Sequence, residues 1–392
     1  MFDEIPNKPP YNSKTVQNRS PIRGFDHMLE LFSVVVAEVA PAWETMDYSP
    51  GHYSLVGVPF EAILNWPMGT PSGHAFFLDE EVNEKMKRIL DTWRDQVLKT
   101  RKSLTVLTRN EDGWLCKAAL EEMENEARTD DGHGGKGRLR FQEMFECDPE
   151  GDPIHWRFTS WDDFCVRQFR NMDQIRPVAY PDKPEWVANV CEARPMVIQP
   201  DIKEYDTFWI KGQDYSVAEM LQHHPLAHHF TGGTAFQSVL KQTAYHRWTS
   251  PVSGHVVHVQ SIKGTYFSER QTYGSSSGPL VSPLMNQVYL SHIATRTIIY
   301  IEAEPPVGIM CFVAIDMADV STCEVSKAFD GDVLPRPVRK GEELGMVHYG
   351  GSSICLLFRK GLRLAWVDGA IPGASDKNLA VRTALAMAYE ME

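Results

Sequence analysis

Tyr349-Gly350-Gly351-Ser352-Ser353-Ile354 holds the residue types with the most unusual chemistry available to them. The segment follows a charged turn, Arg339-Lys340-Gly341-Glu342-Glu343, and precedes a β-prone apolar run. A Gly-Ser peptide on a turn between strands can be held under strain, and glycine lets neighbouring groups approach its carbonyl closely. The Ser352 hydroxyl would attack the Gly351 carbonyl and convert the amide to an ester. Elimination across Ser352 would leave a dehydroalanine that hydrolyses to a pyruvoyl group. Glycine and serine are also the default residues of a plain β-turn, and composition alone favours that reading.

Other clusters offer less. His223, His224, His228 and His229 stand together, and neutral imidazole is the commonest metal ligand. No HExxH pattern or accompanying carboxylate set stands at ligand spacing, so a surface or packing role is expected and no metal. Gly132 to Gly137 lacks the spacing and the following Ser/Thr of a phosphate loop, and Tyr273 to Pro279 has the composition of a linker. Both read as plain loops.

The elements that must position the Gly-Ser turn follow from hydrophobic period. Met28, Leu29, Leu31, Phe32, Val35 and Val36 recur at helical steps, as do Val82, Met86, Ile89, Leu90 and Trp93, with Asp79 and its acidic neighbours as first-turn charges. After the Thr129–Gly137 connection the character becomes extended. Val257 and Val259 alternate with polar residues, and Thr297–Ile301, Ile309–Ile315 and Ile354–Phe358 are short β-prone runs. A helical pattern over Leu379–Met387 closes the chain. The expected fold class is α+β, with a flexible arm over 1–23, a helical domain over 24–150 and a β-rich domain with flanking helices over 151–392.

The chain carries 39 basic against 52 acidic residues, a net charge of −13, which argues against a nucleic-acid partner. Leu29 to Trp43 is too short and too charged for a membrane span, and the first residues hold no apolar signal region. Seven cysteines without a CxxC pair fit free thiols in a reducing compartment, so a cytoplasmic location is expected.

Four segments in order give the Gly-Ser turn its context. They are Ser160-Trp161-Asp162-Asp163-Phe164 with Arg167, Phe169, Arg170, Arg176 and Pro177; Phe208 to Val217; Tyr245-His246-Arg247-Trp248-Thr249-Ser250-Pro251-Val252-Ser253-Gly254; and Gly350-Gly351-Ser352-Ser353. Together they resemble the phosphatidylserine decarboxylase family of pyruvoyl-dependent enzymes over roughly residues 150–392. The N-terminal block, with Ile63 to Gly73, is similar to the extra helical domain of a fungal branch that decarboxylates a free, tryptophan-like amino acid. Thr243 to Trp248 and Val320-Ser321-Thr322-Cys323-Glu324 also look closer to that branch.

The resemblance implies a carboxy-lyase that cuts itself between Gly351 and Ser352. Ser352 becomes the pyruvoyl cofactor, so neither metal nor pyridoxal phosphate is needed. The larger and smaller pieces stay associated, the substrate is a small molecule, a free aromatic (tryptophan-like) L-amino acid, and a homo-oligomer is left open. His246 matches the family histidine that handles substrate, and imidazole suits reprotonation of an α-carbon near neutral pH. Tyr245 and Trp248 beside it are the expected substrate contacts. Two departures bear on processing. Thr249 replaces the histidine that activates the serine, and Glu192 stands near the position of the partnering aspartate. Threonine is no general base at neutral pH, which makes His348 the expected substitute. The alternatives are phosphatidylserine decarboxylation, or an unprocessed pseudoenzyme in which the change to Thr249 has stopped the cut.

Overall fold

A computed structural model describes residues 1–5, 22, 24–44, 58–127, 139–205, 216–268, 283–317, 319–331, 333–375 and 377–390. Most of the expected N-terminal arm, the loops at Gly132–Gly137 and Tyr273–Pro279, and the 208–215 part of the Phe208–Val217 segment lie outside the described residues.

Among the described residues the N-terminal third has five α-helices: α1 (Phe25–Glu38), α2 (Pro59–Met68), α3 (Pro71–Leu78), α4 (Glu80–Trp93) and α5 (Lys117–Glu126). Their apolar faces follow the helical period. α1 buries Met28, Phe32 and Val35, and α4 buries Met86, Leu90 and Trp93. Local chemistry sets the starts: Asp79 accepts the Val82 N–H at 3.0 Å, and Thr70 accepts that of Gly73 at 3.0 Å, with Pro71 next in line. Three short helices follow, α6 (Phe141–Met144), α7 (Trp161–Cys165) and α8 (Met172–Ile175). Ser160 caps α7 by accepting from the Asp163 N–H.

Thirteen strands appear among the described residues: β1 (Trp186–Ala188), β2 (Arg194–Pro200), β3 (Thr234–Leu240), β4 (Arg247–Thr249), β5 (Gly254–Ile262), β6 (Arg296–Ala303), β7 (Ile309–Asp316), β8 (Thr322–Val325), β9 (Arg336–Val338), β10 (Glu343–His348), β11 (Ser352–Phe358), β12 (Leu362–Trp366) and β13 (Ala384–Glu390). Seven form one antiparallel sheet in the order β2-β3-β11-β7-β6-β5-β9. Two three-stranded sheets, β4-β10-β8 and β1-β13-β12, stand beside it. Helices α9 (Val217–Met220) and α10 (Pro283–Ile293) cover the large sheet's other face.

The period of two sorts the central strands between two cores. Phe312, Ala314, Ile354 and Leu356 pack with Trp248, Leu344 and Val347 of the β4-β10-β8 sheet, whereas Val313, Ile315, Cys355 and Leu357 pack with Val217 and Met220 of α9. Every residue of β11 is buried. A third core joins Trp93 and Trp114 of the helical third to Trp161, Phe164 and Tyr349. Trp114 and Trp161 lie 4.6 Å apart by ring centroid, and Tyr349 meets Trp93 edge-on at 5.3 Å. A buried clamp reinforces this contact: the Asp319 carboxylate accepts the N–H groups of Phe60 and Glu61, at the exposed-donor end of α2.

One expected element differs. Leu379–Met387 is not a helix: Leu379 makes an isolated bridge to Ala193, residues 381–383 turn, and the chain enters β13 at Ala384. The Leu and Ala spacing suits either state, but β1 and β12 pair with β13 on both sides and Leu385 and Ala388 fill the sheet core, so tertiary pairing overrides local period.

Candidate active site

The Gly-Ser turn joins the end of β10 to the start of β11. Tyr349 has φ 49° and Gly350 φ 115°. A bulky aromatic in the left-handed region costs on the order of 1–3 kcal/mol, offset here by burial of its ring between Trp93 and Trp161. Gly350 occupies a conformation that side-chain-bearing residues rarely adopt. Gly351 is buried, and a Cβ added there would meet Gln242 and the Leu240 carbonyl at 3.6 Å. Ser352 is fully buried, and its Oγ has no hydrogen-bond partner among the described residues. A buried, unpaired hydroxyl is costly in a purely structural role and needs a reason.

His246 lies in the same neighbourhood. Its Nε2 donates to the Gln242 carbonyl at 3.2 Å, which leaves Nδ1 as the unpaired, lone-pair nitrogen. The same Gln242 lies beside Gly351, where a Cβ would stand 3.6 Å from its side chain, so one residue neighbours both the histidine and the expected scissile peptide. Complete burial and the nearby Arg167 guanidinium push His246 down to about 4. It is therefore a neutral imidazole at physiological pH. Arg167 holds the turn that carries it, donating to the carbonyls of Thr243 at 2.8 Å and Ala244 at 3.0 Å while stacking over Phe145. Burial brings Arg167 itself down to about 10.

The remaining expected residues are spread around this centre. His348 presents Nδ1 to Asp162 at 2.8 Å and Nε2 to Glu324 at 2.9 Å, so both ring nitrogens are engaged by carboxylates and neither meets Ser352. Thr249 is buried with its hydroxyl unpaired. Glu192 pairs with Arg176, Nε to Oε1 at 2.5 Å, and accepts the Val381 N–H at 3.1 Å. Tyr245 and Trp248 face two different cores: Tyr245 packs on Phe169 at 4.5 Å with the rings tilted by 40°, and Trp248 packs on Phe312 at 5.2 Å. A cavity of about 10 Å³, room for about one water, is lined by Tyr245, Glu192, Arg167 and Thr243. Sequence reasoning missed Asp316, which closes the apolar run of β7 and stands opposite Ser352 in the sheet register. Its signal was a single carboxylate ending an otherwise apolar, buried strand. Among the described residues no cluster of His, Cys, Asp and Glu is arranged for a metal, and His224 instead packs on His258 and Tyr300.

The Arg176–Glu192 pair makes a stability test. Arg176→Ala strands a buried carboxylate, and removing one partner of such a pair costs about 3–5 kcal/mol. Thermal unfolding should show a drop of many degrees, and an unchanged midpoint would mean the pair is not holding this junction.

A family model described as phosphatidylserine decarboxylase matches residues 161–372, and a second with that description matches residues 1–123. Decarboxylase iboD of Amanita muscaria is 36% identical over 312 residues, covering 77% of this chain and 84% of that protein. L-tryptophan decarboxylase of Psilocybe cubensis is 31% identical over 379 residues, covering 89% of this chain and 82% of that protein. Phosphatidylserine decarboxylase proenzyme 3 of Schizosaccharomyces pombe is 28% identical over 203 residues, 51% of this chain and 19% of that protein. These relationships define a carboxy-lyase. The chain belongs to the phosphatidylserine decarboxylase family. No helix among its described residues is long and apolar enough to cross a membrane.

Proposed function

We propose that this chain is a precursor that cuts itself between Gly351 and Ser352 and then decarboxylates a free aromatic L-amino acid of the tryptophan type, releasing the amine and CO2. The observation that carries the reading is the Gly351–Ser352 peptide: a buried serine with an unpaired hydroxyl at the head of an interior strand, following the positive-φ pair Tyr349-Gly350. The surroundings fit a pyruvoyl group made from Ser352. The position is shielded from water, Gly351 adds no side chain, and a neutral imidazole stands on the neighbouring Gln242. Such a group supplies an electron sink for the pair left behind as CO2 departs.

The chain's own residues do the rest. Pairing of β11 with β3 and β7 fixes the position of residue 352. Gln242 orients the His246 ring so that the Nδ1 lone pair is left to take up a proton during turnover and pass it to the α-carbon of the substrate. The aromatic, free-amino-acid assignment is supported by the name of the Psilocybe cubensis relative, whose match takes in 89% of this chain. Seven unpaired thiols support a reducing, cytoplasmic setting. The second reading, an uncut pseudoenzyme, is favoured by one observation: neither Thr249 nor His348 offers Ser352 a base.

Incubating the purified full-length protein with L-tryptophan, and separately with phosphatidylserine vesicles, separates the substrates. Tryptamine formation without loss of vesicle phosphatidylserine is expected. Turnover of the lipid alone, or of neither by a protein that remains one chain under denaturing conditions, would discard the assignment.

A further inference from the structure

Self-cleavage needs a base at Ser352. We propose that Asp316 is that base: its carboxylate takes the Ser352 hydroxyl proton and hands it to the Ser352 nitrogen as the Gly351–Ser352 amide breaks. The inference rests on the proposed self-cleavage.

Ser352 and Asp316 are direct partners in the antiparallel β11–β7 register. The Asp316 N–H donates the other way, to the Thr295 carbonyl at 2.9 Å. The pair is therefore of the non-hydrogen-bonded kind, in which Cα atoms lie about 4.5 Å apart and the facing side chains are closest. Both side chains lie on one face of the sheet and both are buried, at 0% and 3% exposure. The Cys323 thiol donates to Asp316 Oδ1 at 2.5 Å, which leaves the second carboxylate oxygen for Ser352. Burial raises Asp316 to about 7, so it is a stronger base than an ordinary carboxylate and still substantially ionised at neutral pH. The groups that face it are Cys323 from β8, Lys87 from α4, and Tyr266 from the segment after β5.

The step balances without an outside reagent other than water. The Oγ–C bond to Gly351 forms, the C–N bond breaks, and one proton moves from Oγ through Asp316 to nitrogen. Elimination then removes the Ser352 α-proton, breaks Cβ–Oγ and releases Gly351 as a carboxylate. Water replaces the nitrogen, which leaves as ammonia, and no group is oxidised or reduced from outside.

The test follows newly synthesised full-length chain in a cell-free system, scoring by intact mass the conversion to 1–351 and 352–392. Asp316→Asn should slow conversion at least about a hundredfold, the lower range for loss of a general base. Cys323→Ala should still convert, but with its pH midpoint moved upward, because the thiol hydrogen bond holds the Asp316 carboxyl down. An Asp316→Asn chain that converts at the wild-type rate would overturn the assignment while leaving self-cleavage standing. If circular dichroism shows that Asp316→Asn does not fold, Cys323→Ala decides, and an unmoved midpoint overturns it. A wild-type chain that never converts removes self-cleavage itself, and Asp316's role with it.

Discussion

Replacing Ser352 by alanine is expected to give a single uncut chain with no measurable decarboxylation. The nucleophile and the precursor of the reactive group vanish together. The next residue cannot take over. Ser353 points to the opposite face of β11, where its hydroxyl accepts from Gln237 at 2.8 Å and donates to the Ser238 carbonyl at 3.1 Å. The substitution should not harm folding. Removing a buried hydroxyl that has no partner relieves a desolvation cost of about 1–3 kcal/mol, so the thermal midpoint should hold or rise. Intact mass and calorimetry on the same sample check both halves. A Ser352→Ala protein that still separates into two pieces would place the reactive bond elsewhere.

The second large effect concerns His246 and is expected to separate processing from turnover. His246→Asn should still be cut, because in the proposed scheme Asp316 and not this ring activates Ser352, while kcat falls by about 10²–10⁴, the usual contribution of a positioned general acid–base group. The pH profile carries a further signature. Burial and Arg167 disfavour the charged ring and place its titration near 4 rather than near the ordinary value, so the limb due to this group should lie below pH 5. The same shift couples to stability. Between about 6.5 and 4 the unfolded chain binds a proton that the folded one does not, so stability falls as pH drops through that window. A kcat limb at pH 6.5 that disappears in the variant would show that the histidine is not buried in this way during turnover.

Period and capping residues made much of this architecture legible. Asp79 before Val82 marked the start of α4, and the runs at 297–301, 309–315 and 354–358 became β6, β7 and β11 because apolar side chains stand on both faces of a covered sheet. The family was visible in four ordered motifs. Contacts between distant residues were not. Asp162 and Glu324 reach His348 across 186 and 24 positions, and no local pattern announces that a histidine beside the Gly-Ser turn will have both nitrogens taken. Asp316 faces Ser352 only through a strand register that tertiary packing sets. Tyr245 and Trp248 read as one aromatic patch in the sequence, yet the chain enters β4 between them and sends each ring into its own core.

The placement of Ser352 at the head of an interior strand has a temporal consequence. The left-handed turn, the facing carboxylate and the water-free surroundings exist together only once β3, β7 and β11 have met, so the cut can come only after folding. A severed bond would thus serve as a permanent stamp that a molecule once reached its native state, readable on a gel. It would also make the event one-way. A cut molecule that unfolded would become two polypeptides, and renaturation would then depend on concentration, with the shorter piece having to find its slot inside a sheet. Such a protein is built to be folded once, and its working lifetime is set by how slowly it opens.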